Sequence, residues 1–203
     1  MMIAFRSKMD VKSVEDVFSE INARQIAAIM IHDQMADYFD FLGLSGYKRL
    51  HLYQYFAESE ERRKTAHYYI NHHGKLIRDT FEGNVQMIPE AWQSANRMSV
   101  GKSTKQKAVE DGFSAHLAWE QSTKDVYQKY ATALRSMGNV ADAIFVDNLV
   151  CDVDNELERL ERIITDLITA GYDPIYIMES QKPLHDKYKK KMKGGMKHER
   201  ADK

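Results

Sequence analysis

The chain has 203 residues with 29 basic and 30 acidic side chains, so its formal charge is −1 and no global basic field argues for nucleic acid. Hydrophobic residues make up 43% and charged residues 29%, with three prolines, ten glycines and one cysteine. That composition suits one globular all-α domain with a sizeable core and excludes an internal disulfide framework. No run of 18 apolar residues or secretory pattern is present, so no membrane span is expected, and the lone Cys151 fits a reducing, cytoplasmic setting.

The first helix is expected from near Ser13, a side chain suited to an N-cap, with Glu15 and Asp16 in the first turn. Its apolar stripe is Val14, Val17, Ile21, Ala28, Met35 and Phe39, and Gln25 and His32 fall on the same stripe. Gly43-Leu44-Ser45-Gly46 reads as a turn. A second helix follows from near Gly46 or Tyr47 and is expected to reach about Phe81. Inside it, the stretch YQYFAESEERRKTAHYYINHH from Tyr53 to His73 has helical composition. Eight consecutive polar residues, Glu58 to Thr65, interrupt its apolar positions. Eight residues make more than two helical turns, so some of these polar side chains must face inward. Carrying the stripe of Tyr53, Phe56 and Ala57 through the block selects Glu60 or Glu61, then Lys64. A charge facing a core is paired or holds a metal.

A long connection over about 82–103 comes next, with a short helix expected over 89–98, and its length suits a crossover along a bundle. The third helix is expected over about 104–137 with the stripe Phe113, Leu117, Tyr127, Ala131 and Leu134. Glu120 and Lys124 occupy the middle of that stripe, and His67 and His116, which lie off their stripes, are weaker candidates for an imidazole ligand. Gly138-Asn139 signals an antiparallel return. The fourth helix, about 140–170, carries Ala143, Val146, Val150, Val153, Leu157, Leu160, Ile164 and Leu167 in an almost unbroken series, flanked by Asp147, Asp154 and Glu158. Asp173-Pro174 starts a short fifth helix, about 174–193, which Gly194-Gly195 should stop before a basic polar tail. Residues 1–171 thus form a bundle, and 172–203 a C-terminal helix and tail of the same domain.

Two segments, INARQIAAIMIHDQMADYFD and YQYFAESEERRKTAH, resemble the first two helices of ferritins, and AHLAWEQSTKDVYQKYA resembles the third. The resemblance covers about residues 13–171. It implies an all-α, ferritin-like antiparallel four-helix bundle, with a long crossover between the second and third helices and a short fifth helix. In that family a dinuclear iron site takes a Glu from the first helix, Glu-x-x-His from the second, a Glu from the third, and an acidic or amide ligand from the fourth. Through the resemblance, Gln25 stands at the first position and Glu61 at the second-helix Glu, with Lys64 where the His belongs. Glu120 matches the third-helix Glu, and Asp154 is nearest on the fourth, where Leu157 replaces the second His of bacterioferritin relatives. His32, about a turn or more beyond Gln25, supplies an imidazole if the site has shifted along the axis.

The expected metal ligands are therefore Glu61, Glu120, Asp154, His32 and Gln25, with iron as the metal, and three readings stay open. The first is an iron-binding ferritin-like homo-oligomer that oxidises or stores iron, its ferroxidase-type activity conditional on metal binding at the altered site. The second is a metal-free scaffold or assembly protein in which Lys64 neutralises Glu61 and Lys124 pairs with Glu120. The third is a nucleic-acid-protecting relative, similar to the starved-cell DNA-protection proteins, using the lysines of 187–193; the near-zero net charge makes it the weakest. His67, His72 and His73 read as solvated helix surface, Cys151 as a small buried hydrophobe, and VGKST near Val100 lacks the first glycine of a phosphate loop.

Overall fold

A computed structural model describes residues 7, 8, 10–81 and 100–201, with backbone alone for 102 and 193–201. The short helix expected over 89–98 lies outside the described residues. Five helices follow in order: α1 Val14–Phe41, α2 Ser45–His73, α3 Lys102–Ser136, α4 Val140–Thr169 and α5 Pro174–Ala201.

Ser13 caps α1 as its sequence suggests: it is extended (φ −144°, ψ 162°), and its Oγ accepts the Asp16 amide, satisfying one orphan donor of the first turn. The chain leaves α1 through Gly43 at φ 78° and re-enters a helix at Ser45, so α1 and α2 form a tight hairpin. α2 stops at His73, well before the expected residue 81. Gly74 adopts φ 64° and its amide bonds to the Ile70 carbonyl, a left-handed cap that ends the helix. Gly138 at φ 79° turns α3 into α4 in the same manner.

Contacts across the bundle fix the directions. Arg24 meets Thr123, His32 meets His116 and Tyr38 donates to the Ala108 carbonyl, so α1 and α3 run antiparallel. Gln54 meets Glu156 and Tyr68 meets Asp142, so α2 and α4 run antiparallel too. With hairpins at both ends, α2 and α3 are parallel. The end of α2 and the start of α3 therefore lie at opposite ends of the bundle, as the crossover inferred from the sequence requires.

α5 folds back onto α2 of its own bundle. Ile177 and Tyr188 are buried, while Ile175 and Met178 stay exposed. The helix begins at Pro174, as expected, but continues through Gly194 and Gly195 to Ala201. Its closest approach is at Gly46, where a Cβ would lie 1.9 Å from the Gln181 carbonyl oxygen, so only glycine fits. Tyr47 and Ser180 exchange a hydroxyl hydrogen bond of 3.1 Å beside it.

The apolar core is split in two. One cluster joins the second half of α1 to the starts of α2 and α3, the end of α4 and α5, around Ile31, Met35, Phe39, Tyr47, Phe113 and Tyr188. The other joins the first half of α1 to the end of α3 and the start of α4, around Val17, Ile21, Tyr130, Leu134 and Val146. Polar side chains from all four long helices fill the level between them. No helix among the described residues is long and apolar enough to cross a membrane.

Candidate metal centre

The polar level follows from the phase of α2. Tyr47, Leu50, His51, Gln54, Thr65 and Tyr69 are buried, at steps of three and four residues, and Glu58 and Glu61 continue that series. Phe56 is 51% exposed, and Glu60 and Lys64 are exposed as well. The buried stripe is thus Gln54–Glu58–Glu61–Thr65, one residue away from the expected Tyr53–Phe56–Lys64 phase. One residue is about 100° of rotation, which turns Lys64 outward and brings Glu58 inward.

Four carboxyl groups act on one another's ionisation at this level. Glu58 and Glu61 come from α2, Glu120 from α3 and Glu156 from α4. Glu120 is 2% exposed. The other three are half-buried as residues, but their carboxyl ends are desolvated and repel one another. Burial, reinforced by Glu61, Glu120 and Glu156, pushes Glu58 well above the usual carboxylate range. Burial raises Glu61 to about 7, against the opposing hydrogen bond from Gln25, and raises Glu156 to about 8, with Glu120 adding to it. The amide of Gln25 donates to Glu61 Oε1 at 2.9 Å and to Thr65 Oγ1 at 3.0 Å. Gln54 donates to Glu156 at 3.4 Å.

Arg159 favours ionisation of Glu156 and Lys64 that of Glu61, and a buried cation acts on Glu58. Arg24, 2% exposed, donates through Nε to Thr123 Oγ1 at 3.0 Å and through its terminal nitrogens to Ser7, Ser122 and the Trp119 carbonyl. Its guanidinium lies 4.2 Å from the centroid of the Trp119 ring. It carries no ion pair of its own, yet its charge favours ionisation of Glu58. The buried Tyr127 phenol also feels the layer: desolvation first, then Glu61 and Glu58, push its ionisation upward.

Towards the Phe39 end of the bundle lies a second polar group. His32 of α1, His51 of α2 and His116 of α3 are buried, with ring centroids 5.0, 5.5 and 4.9 Å apart. Phe39 stacks on His51 at 5.2 Å and 11°. His32 Nδ1 and His51 Nδ1 are 3.2 Å apart and share one proton. Glu120 Oε1 lies 3.3 Å from His116 Nε2 and 3.8 Å from His32 Nε2. Among the described residues, His32, His116 and Glu120 are the set whose ligand atoms converge within 4.8 Å. Burial holds His32 and His51 well below the ordinary histidine value, so both are neutral near pH 7.

Of the residues expected at the site, the structure brings Gln25 and Glu61 into direct contact and Glu120 against His32. Asp154 stands apart. It is exposed on α4 and bonds Lys124 Nζ at 2.6 Å, a surface pair that accounts for both residues. Lys124 is thus taken up by Asp154, and Thr123 rather than Lys124 is buried at that turn of α3; Lys64 is exposed, though its charge still favours ionisation of Glu61.

Glu58, Glu156 and His51 were not expected at the site, and His116 only as a weaker substitute for an imidazole ligand. The i, i+3 spacing of Glu58 to Glu61 and the i, i+4 spacing of His116 to Glu120 were their signals. His67 and His72 are exposed, as the sequence suggests, whereas His73 reaches Asp142 at 3.0 Å. Cys151 is exposed rather than buried.

Neither a protein-family model nor a curated protein matches the chain by sequence. Its structure does match. An engineered closed form of the Archaeoglobus fulgidus ferritin superposes with a TM-score of 0.67 at 17% identity, over 90% of this chain and 97% of that one. A PmFTN variant soaked briefly in iron superposes at 0.65 with 14% identity, over 83% and 96%. Another PmFTN variant, soaked overnight in iron, gives 0.63 at 15% identity, over 82% and 95%. The chain has the ferritin-like fold.

Proposed function

We propose that this is a ferritin-like metal-binding protein that takes up iron between its four long helices, as a homo-oligomer, for oxidation or storage. The observation that carries the reading is that desolvated Glu58, Glu61, Glu120 and Glu156 act on one another's ionisation inside the bundle, where Gln25 reaches Glu61 and Gln54 reaches Glu156 and Lys64 and Lys124 are turned outward. Carboxylates that repel one another in a desolvated space are relieved by protons or by a cation. Oxygen donors with imidazoles alongside make a ligand set that suits iron. Glu58, Glu61, Glu120 and Glu156 would hold the ion, with Gln25 and Gln54 orienting Glu61 and Glu156 through their amides. The similarity to PmFTN variants soaked in iron favours the same cargo.

The test is iron content after anaerobic ferrous loading, followed by oxygen uptake on admitting air. Wild type is expected to hold stoichiometric iron and to consume oxygen, and Glu58→Gln and Glu61→Gln to lose both. An absence of iron in loaded wild type would sink the reading. Attention would then pass to the metal-free scaffold, its centre neutralised by protons on the raised carboxyls rather than by lysines.

A further inference from the structure

The histidine pocket poses a separate question. Three imidazoles have six ring nitrogens, and only the two Nδ1 atoms of His32 and His51 have a partner, each other. His32 Nε2, His51 Nε2, both nitrogens of His116, and Glu120 Oε1 are buried without a hydrogen-bond partner. Each buried orphan costs roughly 1–3 kcal/mol, and a domain of this size has only about 5–15 kcal/mol of net stability. Of these atoms, one each from His32, His116 and Glu120 converge within 4.8 Å of one another.

Their geometry matches a metal. Two ligands about 2.0 Å from a common tetrahedral centre lie about 3.3 Å apart. His116 Nε2 and Glu120 Oε1 are 3.3 Å apart, and His32 Nε2 to the same oxygen is 3.8 Å, a few tenths from closure. Two ligands sit at i and i+4 on α3 and the third on α1, so the set is held by rigid elements. The second shell is present as well. When His32 Nδ1 donates to His51 Nδ1, His32 Nε2 is left with its lone pair facing Glu120, and the stack of His51 on Phe39 fixes both rings.

We infer that His32, His116 and Glu120 form a second, nitrogen-rich site for a single divalent cation of the zinc class, with His51 as the residue that positions His32. Two imidazoles and one carboxylate with a remaining open position suit zinc or cobalt better than the hard, oxygen-preferring ions. The site shares Glu120 with the carboxylate layer, but it does not depend on iron uptake there.

The experiment is zinc binding by the full chain after chelator treatment, read by competition with a chromophoric zinc indicator, with Co²⁺ as the spectroscopic probe. Wild type is expected to bind about one zinc per chain with no other metal present, and to give visible cobalt bands of low coordination number. His32→Gln and His116→Gln should each weaken zinc by about 100-fold or more, and His51→Phe by about tenfold. Asp154→Asn, on the exposed face of α4, should leave zinc within about threefold of wild type, and Glu61→Gln, in the carboxylate layer, should weaken it far less than the ligand variants. Absence of zinc from wild type overturns the inference, as does zinc unmoved by both ligand variants. Equal loss in Glu61→Gln also overturns it, because the ion would then sit among the carboxylates. If a histidine variant fails to fold by circular dichroism, X-ray absorption on zinc-loaded wild type decides: two or more imidazoles support the site, and fewer refute it. Iron uptake that fails while zinc binds through the histidines would remove the iron reading and leave this one standing.

Discussion

On one side of Glu120 the carboxylate layer is wired: Gln25 reaches Glu61 and Thr65, Gln54 reaches Glu156, and Arg24 is tied into α3 by its own hydrogen bonds. On the other side the histidine pocket is almost bare, with one shared proton among three imidazoles. Both sit at the heart of the same bundle, yet they handle buried polarity differently. The carboxyls lower their charge by taking up protons, since their acidity is weakened by burial and mutual repulsion. His32 and His51, held neutral by burial, have no such outlet and keep their lone pairs. A cation at the carboxylates would therefore compete with protons, whereas one at the histidines would mainly fill missing partners.

The largest break in this contrast should come from Arg24. Arg24→Met keeps much of the stem that packs by Trp119 but removes the positive charge and four hydrogen-bonding contacts. Leaving its buried hydrogen-bond partners without their donor costs roughly 1–3 kcal/mol each, which should appear as a lower urea midpoint for the metal-free protein. A midpoint unchanged from wild type would mean that Arg24 is not coupled to the layer.

Next in size is a pH effect with an unusual sign. Glu58, Glu61 and Glu156 hold protons more tightly when folded than when unfolded, so the folded chain binds more protons between the unfolded carboxyl value and their raised values. Stability then falls as pH rises. With Glu61 at about 7 and Glu156 at about 8, chelator-treated protein should lose thermal stability from about pH 5 to pH 8. Each titrating carboxyl contributes on the order of 1 kcal/mol per pH unit in that window. Glu61→Gln should flatten the slope, and ferrous ion should raise the melting temperature most at the upper end of the window. A wild-type melting temperature that climbs through this range would overturn the account of the layer.

The same contrast explains what could be read in advance. Helix order, both hairpins, the crossover and the Ser13 cap were legible because each rests on local signals: apolar periodicity, glycine turns and a capping hydroxyl. So were Gln25, His32 and Glu120, which lie on clean apolar stripes of α1 and α3. Along α2 the polar block erased the stripe, and the flanking aromatics misled by one residue, because Tyr53 faces α5 and Phe56 faces solvent. A fifth helix covering α2 makes an aromatic residue outside the four-helix core look like part of it. His116 was hidden for a related reason: the inward face of α3 is broad enough to bury His116, Trp119 and Glu120 together, wider than a single stripe. Gly74 was visible, but a lone glycine in helical composition does not announce a left-handed cap.

The smallest expected effect concerns the lysines, and it sharpens the contrast by a lack of response. Lys124 pairs with Asp154 outside the bundle, and Lys64 is exposed. Lys64→Ala and Lys124→Ala, alone and combined, should leave the urea midpoint, the pH slope and iron and zinc stoichiometry at wild-type values. The reasoning is geometric: a charge screened by water on the outer face of its helix adds little to carboxyls desolvated on the inner face. If the double variant unfolded readily, or its pH slope steepened, the lysines would be neutralising the layer after all and the metal-free scaffold would regain its basis. If it matched wild type while Glu61→Gln flattened the slope, the charge of the layer would be left to Arg24, to protons and to whatever cation the bundle takes up.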